Sequence, residues 1–321
     1  MTPIRHVLVT LHLPVEVQAV LRAAFEIDYA PDLALDSADA TTRLQHADAL
    51  VVSATKDRLD APLIASLPSD IRGIATYSIG HEHIDLEAAR KRNIAVFATP
   101  DVLSDACAEV GMLLLLGAAR RVTESIALLR SGRWSGWSPT QLNGNGLSGK
   151  ALGIIGMGRI GRAVAHRAKA FGMSIHYANR SRLAPALEDG AMHHANAEDM
   201  LRVSQFLLLA CPVTPATRGF IDARRLQLLP RGAIVANIGR GALVIDADLV
   251  AALTSGHVAA AGLDVFDGEP DIFPGYHDLP NVFMLPHIGS STIEARIAMG
   301  DIVVEGLRQF NAGAVPTNRI A

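Results

Sequence analysis

Three residue types that together could handle a small oxyacid follow three apolar runs late in this chain. Arg240 stands in Asn237-Ile238-Gly239-Arg240-Gly241, Glu269 in Asp264-Val265-Phe266-Asp267-Gly268-Glu269-Pro270, and His287 in Leu285-Pro286-His287-Ile288-Gly289. A guanidinium can hold a carboxylate and polarise a neighbouring carbonyl. An imidazolium can donate a proton to the carbonyl oxygen, and a carboxylate can orient that ring and favour its protonated form. Taken singly, each has a plainer reading: a strand-end salt bridge for Arg240, a turn cap before Pro270 for Glu269, an interface histidine for His287. What joins them is position. Each follows the carboxyl end of a predicted parallel strand, and that edge of an open α/β sheet is where ligands bind.

The strands in question belong to a unit that opens on a glycine loop. Gly156, Gly158 and Gly161 fall on G-x-G-x-x-G, after the apolar run Ala151–Ile155 and at the start of a predicted helix from Arg159 to Phe171. In such a loop the first glycine makes the tight turn. The second lets backbone approach a pyrophosphate, and the third lets helix and strand pack. The N–H groups of Arg159, Ile160 and Gly161 then open the helix toward that anion. A bare strand-turn-helix packing motif is the alternative, but a second apolar run, Ser174–Ala178, follows the helix as a dinucleotide fold requires. About 20 residues past the loop comes Asn179-Arg180-Ser181-Arg182. An acid there would bind the ribose 2′-hydroxyl of NAD and repel a 2′-phosphate. This turn has no acid and offers two guanidiniums and a hydroxyl, so NADP is expected in preference to NAD, against the alternative of a solvated basic turn.

The remaining strands of this unit are predicted at Phe206–Ala210, Ala233–Asn237, Ala259–Leu263 and Val282–Leu285, making six with the two above. Upstream, His6–Thr10, Glu26–Tyr29, Ala49–Ser53, Gly73–Thr76 and Ala95–Ala98 alternate with helical patterns such as Pro14–Ala24 and Asp85–Arg92. They predict a second parallel sheet. The fold class is therefore α/β, with two Rossmann-like or flavodoxin-like parallel-sheet domains. Asp101 to Arg130 reads as one long helix, capped by Thr99 or Asp101. A glycine-rich stretch carrying Trp134 and Trp137 follows, and a long loop of that kind is often functional. Thr292 to Asn311 reads as a final helix.

The chain has 321 residues, is 50% hydrophobic and 19% charged, and carries a formal charge of −3, which gives no footprint for nucleic acid or an anionic membrane. Its longest apolar run, Val110 to Ala119, is too short to span a bilayer. The N-terminus enters a strand with no signal-like apolar region, and Cys107 and Cys211 read as buried free thiols. A cytoplasmic location is expected. No metal site is expected.

The order and spacing of these motifs, with Thr76-Tyr77-Ser78-Ile79-Gly80-His81-Glu82-His83-Ile84-Asp85 and Thr99-Pro100-Asp101-Val102-Leu103, resemble the D-isomer-specific 2-hydroxyacid dehydrogenases, and within them the glyoxylate/hydroxypyruvate reductases. The resemblance covers nearly the whole chain. It implies a substrate domain built from both chain ends (1–100 and 288–321) with a dinucleotide domain (101–287) inserted, a homodimer, and a cleft between domains. It also implies roles: Arg240 as substrate-binding arginine, His287 as acid/base and Glu269 as its partner. The Ile79 and Gly80 N–H groups would hold the substrate carboxylate. Trp137 would reach the neighbouring subunit's site, or simply anchor the dimer. Cys211, Pro212 and Thr217 would form a loop under the cofactor, Asp264 would lie near the nicotinamide amide, and Ile238 and Gly289 would line the same site. His81 and His83 match nothing catalytic. The implied activity is NADPH-dependent reduction of short 2-keto acids. Other 2-hydroxyacid or phosphite dehydrogenases, and a dinucleotide-sensing corepressor, are the competing readings. NADPH oxidation on adding glyoxylate separates a sensor from an enzyme.

Overall fold

Short apolar runs separated by helical spacing become two all-parallel sheets in a computed structural model, which describes residues 3–321. The first holds β1 (His6–Val9), β2 (Glu26–Tyr29), β3 (Ala49–Val52), β4 (Gly73–Thr76) and β5 (Ala95–Phe97), in the order β2-β1-β3-β4-β5. The second holds β6 (Ala151–Ile155), β7 (Ser174–Ala178), β8 (Met192–His193), β9 (Phe206–Leu209), β10 (Ala233–Asn237), β11 (Val258–Leu263) and β12 (Val282–Met284), in the order β12-β11-β10-β9-β6-β7-β8. In the second sheet the strand order reverses between β6 and β9, which is the switch point where such sheets bind ligands.

Seven strands stand where six were expected. The extra one, β8, has two residues, neither in an apolar run, and pairs only with His176 and Tyr177 of β7. The long helix expected over Asp101–Arg130 is two: α2 (Ser104–Ala119) and α3 (Val122–Arg130), after α1 (Val15–Ala24). The break has a local cause. Ala119 O accepts the N–H of Asn145 from the returning loop, at 2.8 Å, instead of continuing the helical ladder. Arg121 then takes a left-handed backbone, φ +54°, with its guanidinium on both oxygens of Glu124 at 2.6 and 2.7 Å. Because α2 starts at Ser104, Thr99 is not its cap, and Thr99 Oγ1 is buried without a partner.

The chain divides into two units: residues up to Leu103 together with Ser291–Ala321, and Ser104–Ser290. In the first, the last helix, α6 (Ile293–Asn311), packs on α1 so closely that a Cβ on Gly300 would lie 2.5 Å from Val17. The chain end then runs along β5, with Ile320 N–H on Val96 O at 2.8 Å and Val96 N–H on Ala321 O at 3.1 Å. In the second unit, α2 lies against β11, where a Cβ on Gly262 would fall 2.6 Å from Leu114 O. Successive residues of the buried strands face opposite layers. Leu208 and Ala236 join α2 and α4 (Arg159–Ala170), while Leu207, Leu209 and Val235 join Leu249 and Leu253 on the other side. Among the described residues, no helix is long and apolar enough to cross a membrane.

Candidate active site

The turn after β6 has the backbone geometry that its three glycines predict. Gly156 has φ +97°, and a Cβ there would lie 2.6 Å from Cys211 N. A Cβ on Gly161 would meet Gly156 O at 2.3 Å, so the helix can approach the strand only without one. Around Gly158 a Cβ would meet nothing within 4 Å, which leaves the backbone open at the middle glycine. Gly158 is the N-cap of α4 and supplies no side-chain acceptor to the first turn. Open backbone, a helix N-terminus and an adjacent strand switch fit the pyrophosphate of a dinucleotide.

Neighbouring loops are stacked against this turn and against each other. Gly239, after β10, sits where a Cβ would lie 2.8 Å from Cys211 O. The buried Asn237 side chain shapes this turn: its Oδ1 accepts the Gly239 N–H at 3.0 Å and its Nδ2 donates to Arg240 O at 2.8 Å. Arg240 is left extended, its Nη1 donating to Gly239 O at 2.7 Å. A Cβ on Gly241 would lie 1.8 Å from Phe266 C, so the arginine turn and the loop bearing Glu269 are in backbone contact.

His287 and Glu269 meet. His287 Nδ1 donates to Glu269 Oε2 at 2.7 Å, and Glu269 Oε1 accepts the Phe266 N–H at 2.7 Å. Glu269 is thus both a turn brace and the partner of the ring. Burial alone would raise its carboxyl. The bonds from His287 and Phe266, with the charges of His287 and Arg240, outweigh that and leave it below the usual glutamate value. It is therefore ionised at neutral pH, accepts only, and fixes the ring with Nε2 as the atom free to exchange a proton. His287 itself has φ +52°, a conformation that β-carbon sterics disfavour. The buried Asp264 supports it: Oδ1 accepts the Ile288 N–H and Oδ2 the Gly289 N–H, both at 2.8 Å. Burial pushes the Asp264 carboxyl up despite these bonds. Asp264, expected near the nicotinamide amide, also braces the histidine turn.

The other expected site residues are placed as follows. Thr217 closes its loop, with Oγ1 on Pro212 O and Thr214 N–H on Oγ1, both at 2.8 Å. Cys107 is buried and Cys211 half-buried, neither in a disulfide, and burial pushes the Cys211 thiol up to about 11. Ile79 and Gly80 belong to the first unit, after β4, where Ser78 Oγ bonds Gly80 O at 2.5 Å. Their own N–H groups donate to no acceptor among the described residues. Trp137 is 83% exposed.

The turn after β7 differs from expectation in one respect. Asn179 Oδ1 accepts the Met157 N–H at 2.7 Å, which ties the turn to the glycine loop and leaves the amide N–H₂ as a donor. Arg180 is exposed and pairs with no carboxylate among the described residues. Arg182, expected to be equally available, is held in a fork: Nε on Glu188 Oε1 at 2.8 Å and Nη2 on Oε2 at 3.0 Å. Glu188 was not a sequence candidate. No periodic signal links it to Arg182, six residues away across the proline-led helix α5 (Pro185–Glu188).

Comparison with known proteins agrees with this geometry. Residues 112–289 match the family model described as D-isomer specific 2-hydroxyacid dehydrogenase, NAD binding domain. The chain is 41% identical over 297 residues to glycerate dehydrogenase of Hyphomicrobium methylovorum, covering 91% of each chain. It is 43% identical over 282 residues to glyoxylate reductase of Thermococcus litoralis, covering 87% of this chain and 85% of the other. Among solved structures it is similar to an NADPH-dependent glyoxylate/hydroxypyruvate reductase from Sinorhizobium meliloti in complex with NADP and malonate. That match has a TM-score of 0.87 at 32% identity, over 99% of this chain and 97% of that one. The chain belongs to the D-isomer-specific 2-hydroxyacid dehydrogenases, in the neighbourhood of the glyoxylate reductases, and binds a nicotinamide dinucleotide.

Proposed function

We propose that the protein reduces short 2-keto acids of the glyoxylate and hydroxypyruvate class to 2-hydroxy acids, with NADPH as the preferred dinucleotide. The observation that carries this is the His287–Glu269 pair, 2.7 Å apart, beside Arg240 at the sheet edge that also bears the glycine loop. When bound at that loop, the dinucleotide supplies the hydride. Arg240 holds the substrate carboxylate and polarises the keto group. In the first unit, the Ile79 and Gly80 N–H groups donate to no acceptor among the described residues, which suits their expected role of holding a carboxylate. His287 Nε2 delivers the proton to the carbonyl oxygen, and ionised Glu269 stabilises the imidazolium that does so.

Preference for NADPH is supported by what the turn after β7 offers. Asn179 spends its oxygen on Met157, so it can donate to a phosphate but has no carboxylate with which to accept from a 2′-hydroxyl. The exposed Arg180 adds a charge. The similar reductase that is NADPH-dependent supports the same choice. The test is steady-state oxidation of each dinucleotide with glyoxylate and hydroxypyruvate. The expected result is turnover with both acids and a higher kcat/KM for NADPH than for NADH. No turnover with any short 2-keto acid would overturn the activity, and equal or NADH-favouring values the preference.

A further inference from the structure

Arg180 and Arg182 look equivalent in the sequence, yet the structure treats them differently. Arg182 is paired through two bonds with Glu188, and the side chain of Glu188 is only 10% exposed. The other side of the carboxylate is occupied by the buried Tyr177, whose hydroxyl donates to Glu188 Oε1 at 2.6 Å and accepts the Leu183 N–H at 3.1 Å. Tyr177 belongs to β7 and Leu183 follows Arg182, so the cluster joins the strand to the end of the turn. The forked bond from Arg182, then the tyrosine bond, hold the Glu188 carboxyl down to about 2, and it is ionised at any ordinary pH. One negative charge therefore stands beside the turn that is to receive a 2′-phosphate.

We propose that Glu188 is a specificity-determining residue: it offsets the charge of Arg182, so that Arg180 is the cation of the turn that favours NADPH over NADH while Arg182 acts as a strut of the turn. This rests on NADPH being the preferred dinucleotide. Three consequences follow from the charges. Removing Arg180 deletes the only uncompensated cation of the turn. Removing Arg182 leaves the Glu188 carboxylate uncompensated beside the turn, and loosens the turn for either dinucleotide. Neutralising Glu188 exposes Arg182 as a second cation and removes a nearby repulsion.

The experiment is a cycle of Arg180→Ala, Arg182→Gln, Glu188→Gln and the Arg182→Gln/Glu188→Gln double variant, measured as kcat/KM for NADPH over that for NADH, with the melting temperature of each. Arg180→Ala should lower the ratio about tenfold or more, the worth of one charge-assisted phosphate contact. Glu188→Gln should raise it about two- to fivefold, the worth of one exposed ion pair. The double variant should give up that gain and return close to the wild-type ratio, because neither charge is then present. Direct dinucleotide binding by fluorescence serves for any variant that melts early. If Glu188→Gln leaves the ratio unchanged or lowers it, or if Arg182→Gln in the double variant costs as much as Arg180→Ala, the assignment of Glu188 is overturned while NADPH preference stands. A wild type that prefers NADH overturns both.

Discussion

At the scale of single residues, the central claim is that His287 Nε2 carries the proton and Glu269 keeps it there. His287→Ala should lose about 10²–10⁴-fold in kcat while still binding NADPH, because proton donation belongs to the chemical step. Single-turnover reduction of glyoxylate, set beside NADPH binding followed by fluorescence, separates the two. Unchanged turnover at neutral pH would remove His287 from the mechanism. Glu269→Gln keeps the shape of the brace on Phe266 but removes the charge. Glu269 steadies the ring as an anion, so on the acid side the wild type should hold its activity to below the ordinary glutamate value, because Glu269 is protonated only there. The Gln variant should have a lower kcat and lack that acid limb. A pH profile identical in both proteins would mean the 2.7 Å pair is not coupled to the chemistry. The placement of Arg240, Glu269 and His287 at one sheet edge was legible in the sequence because each follows a strand whose apolar run could be read. Glu188 and Asn237 were not. Their partners are set by how a turn folds back on itself, and no spacing rule records that.

At the scale of elements, the site exists because loops after five adjacent strands touch. Glycines at 156, 239, 241 and 289 permit that contact, the last beside Asp264 Oδ2 at a would-be Cβ distance of 3.1 Å. Gly241 is the tightest of these approaches, backbone against backbone. Gly241→Ala must push the Arg240 turn and the Phe266–Glu269 loop apart. The cost should be that of an overpacked core position, about 1–3 kcal/mol or more, read as a lower urea midpoint. kcat should fall with it while NADPH affinity, which depends on the more distant glycine loop, changes little. A variant of normal stability and rate would show that this contact does not set the spacing of Arg240 and Glu269. Most strands were legible to within a residue, since long buried runs such as Ala49–Val52 and Phe206–Leu209 can only be central strands of a parallel sheet. The two-residue β8 was not, having too few residues to show a period. The break between α2 and α3 was not either: Ala and Leu favour helix on both sides, and a distant N–H from Asn145 ends the ladder. Tertiary contacts of that kind override propensity.

At the scale of the whole molecule, the second unit exposes three large apolar side chains close together in the chain. Leu129 is 61% exposed, Trp134 52% and Trp137 83%, all on α3 or the loop that follows it. The loop is shaped rather than loose. With the Gln141 amide turned to satisfy its neighbours, its oxygen accepts from Trp134 Nε1 at 3.1 Å and its nitrogen donates to Gly136 O at 2.8 Å. An ordered arm that carries two exposed indoles is the form of an interface anchor, and such anchors carry a disproportionate share of binding energy. We propose that the protein is a homodimer through this arm, with Trp137 either anchoring the dimer or also reaching the partner's substrate. The two roles of Trp137 predict different defects. If it only anchors, Trp137→Ala should shift light-scattering mass toward the monomer at low micromolar protein, and kcat, both KM values and melting temperature should change together. If it also lines the partner's site, KM for the 2-keto acid should rise more than KM for NADPH even at concentrations where the variant is still dimeric. Trp137→Phe, which keeps an apolar ring of smaller area, should restore the mass before it restores the substrate KM. The expected outcome is the second pattern. A wild-type protein that is monomeric and fully active at assay concentrations would remove the arm from both roles.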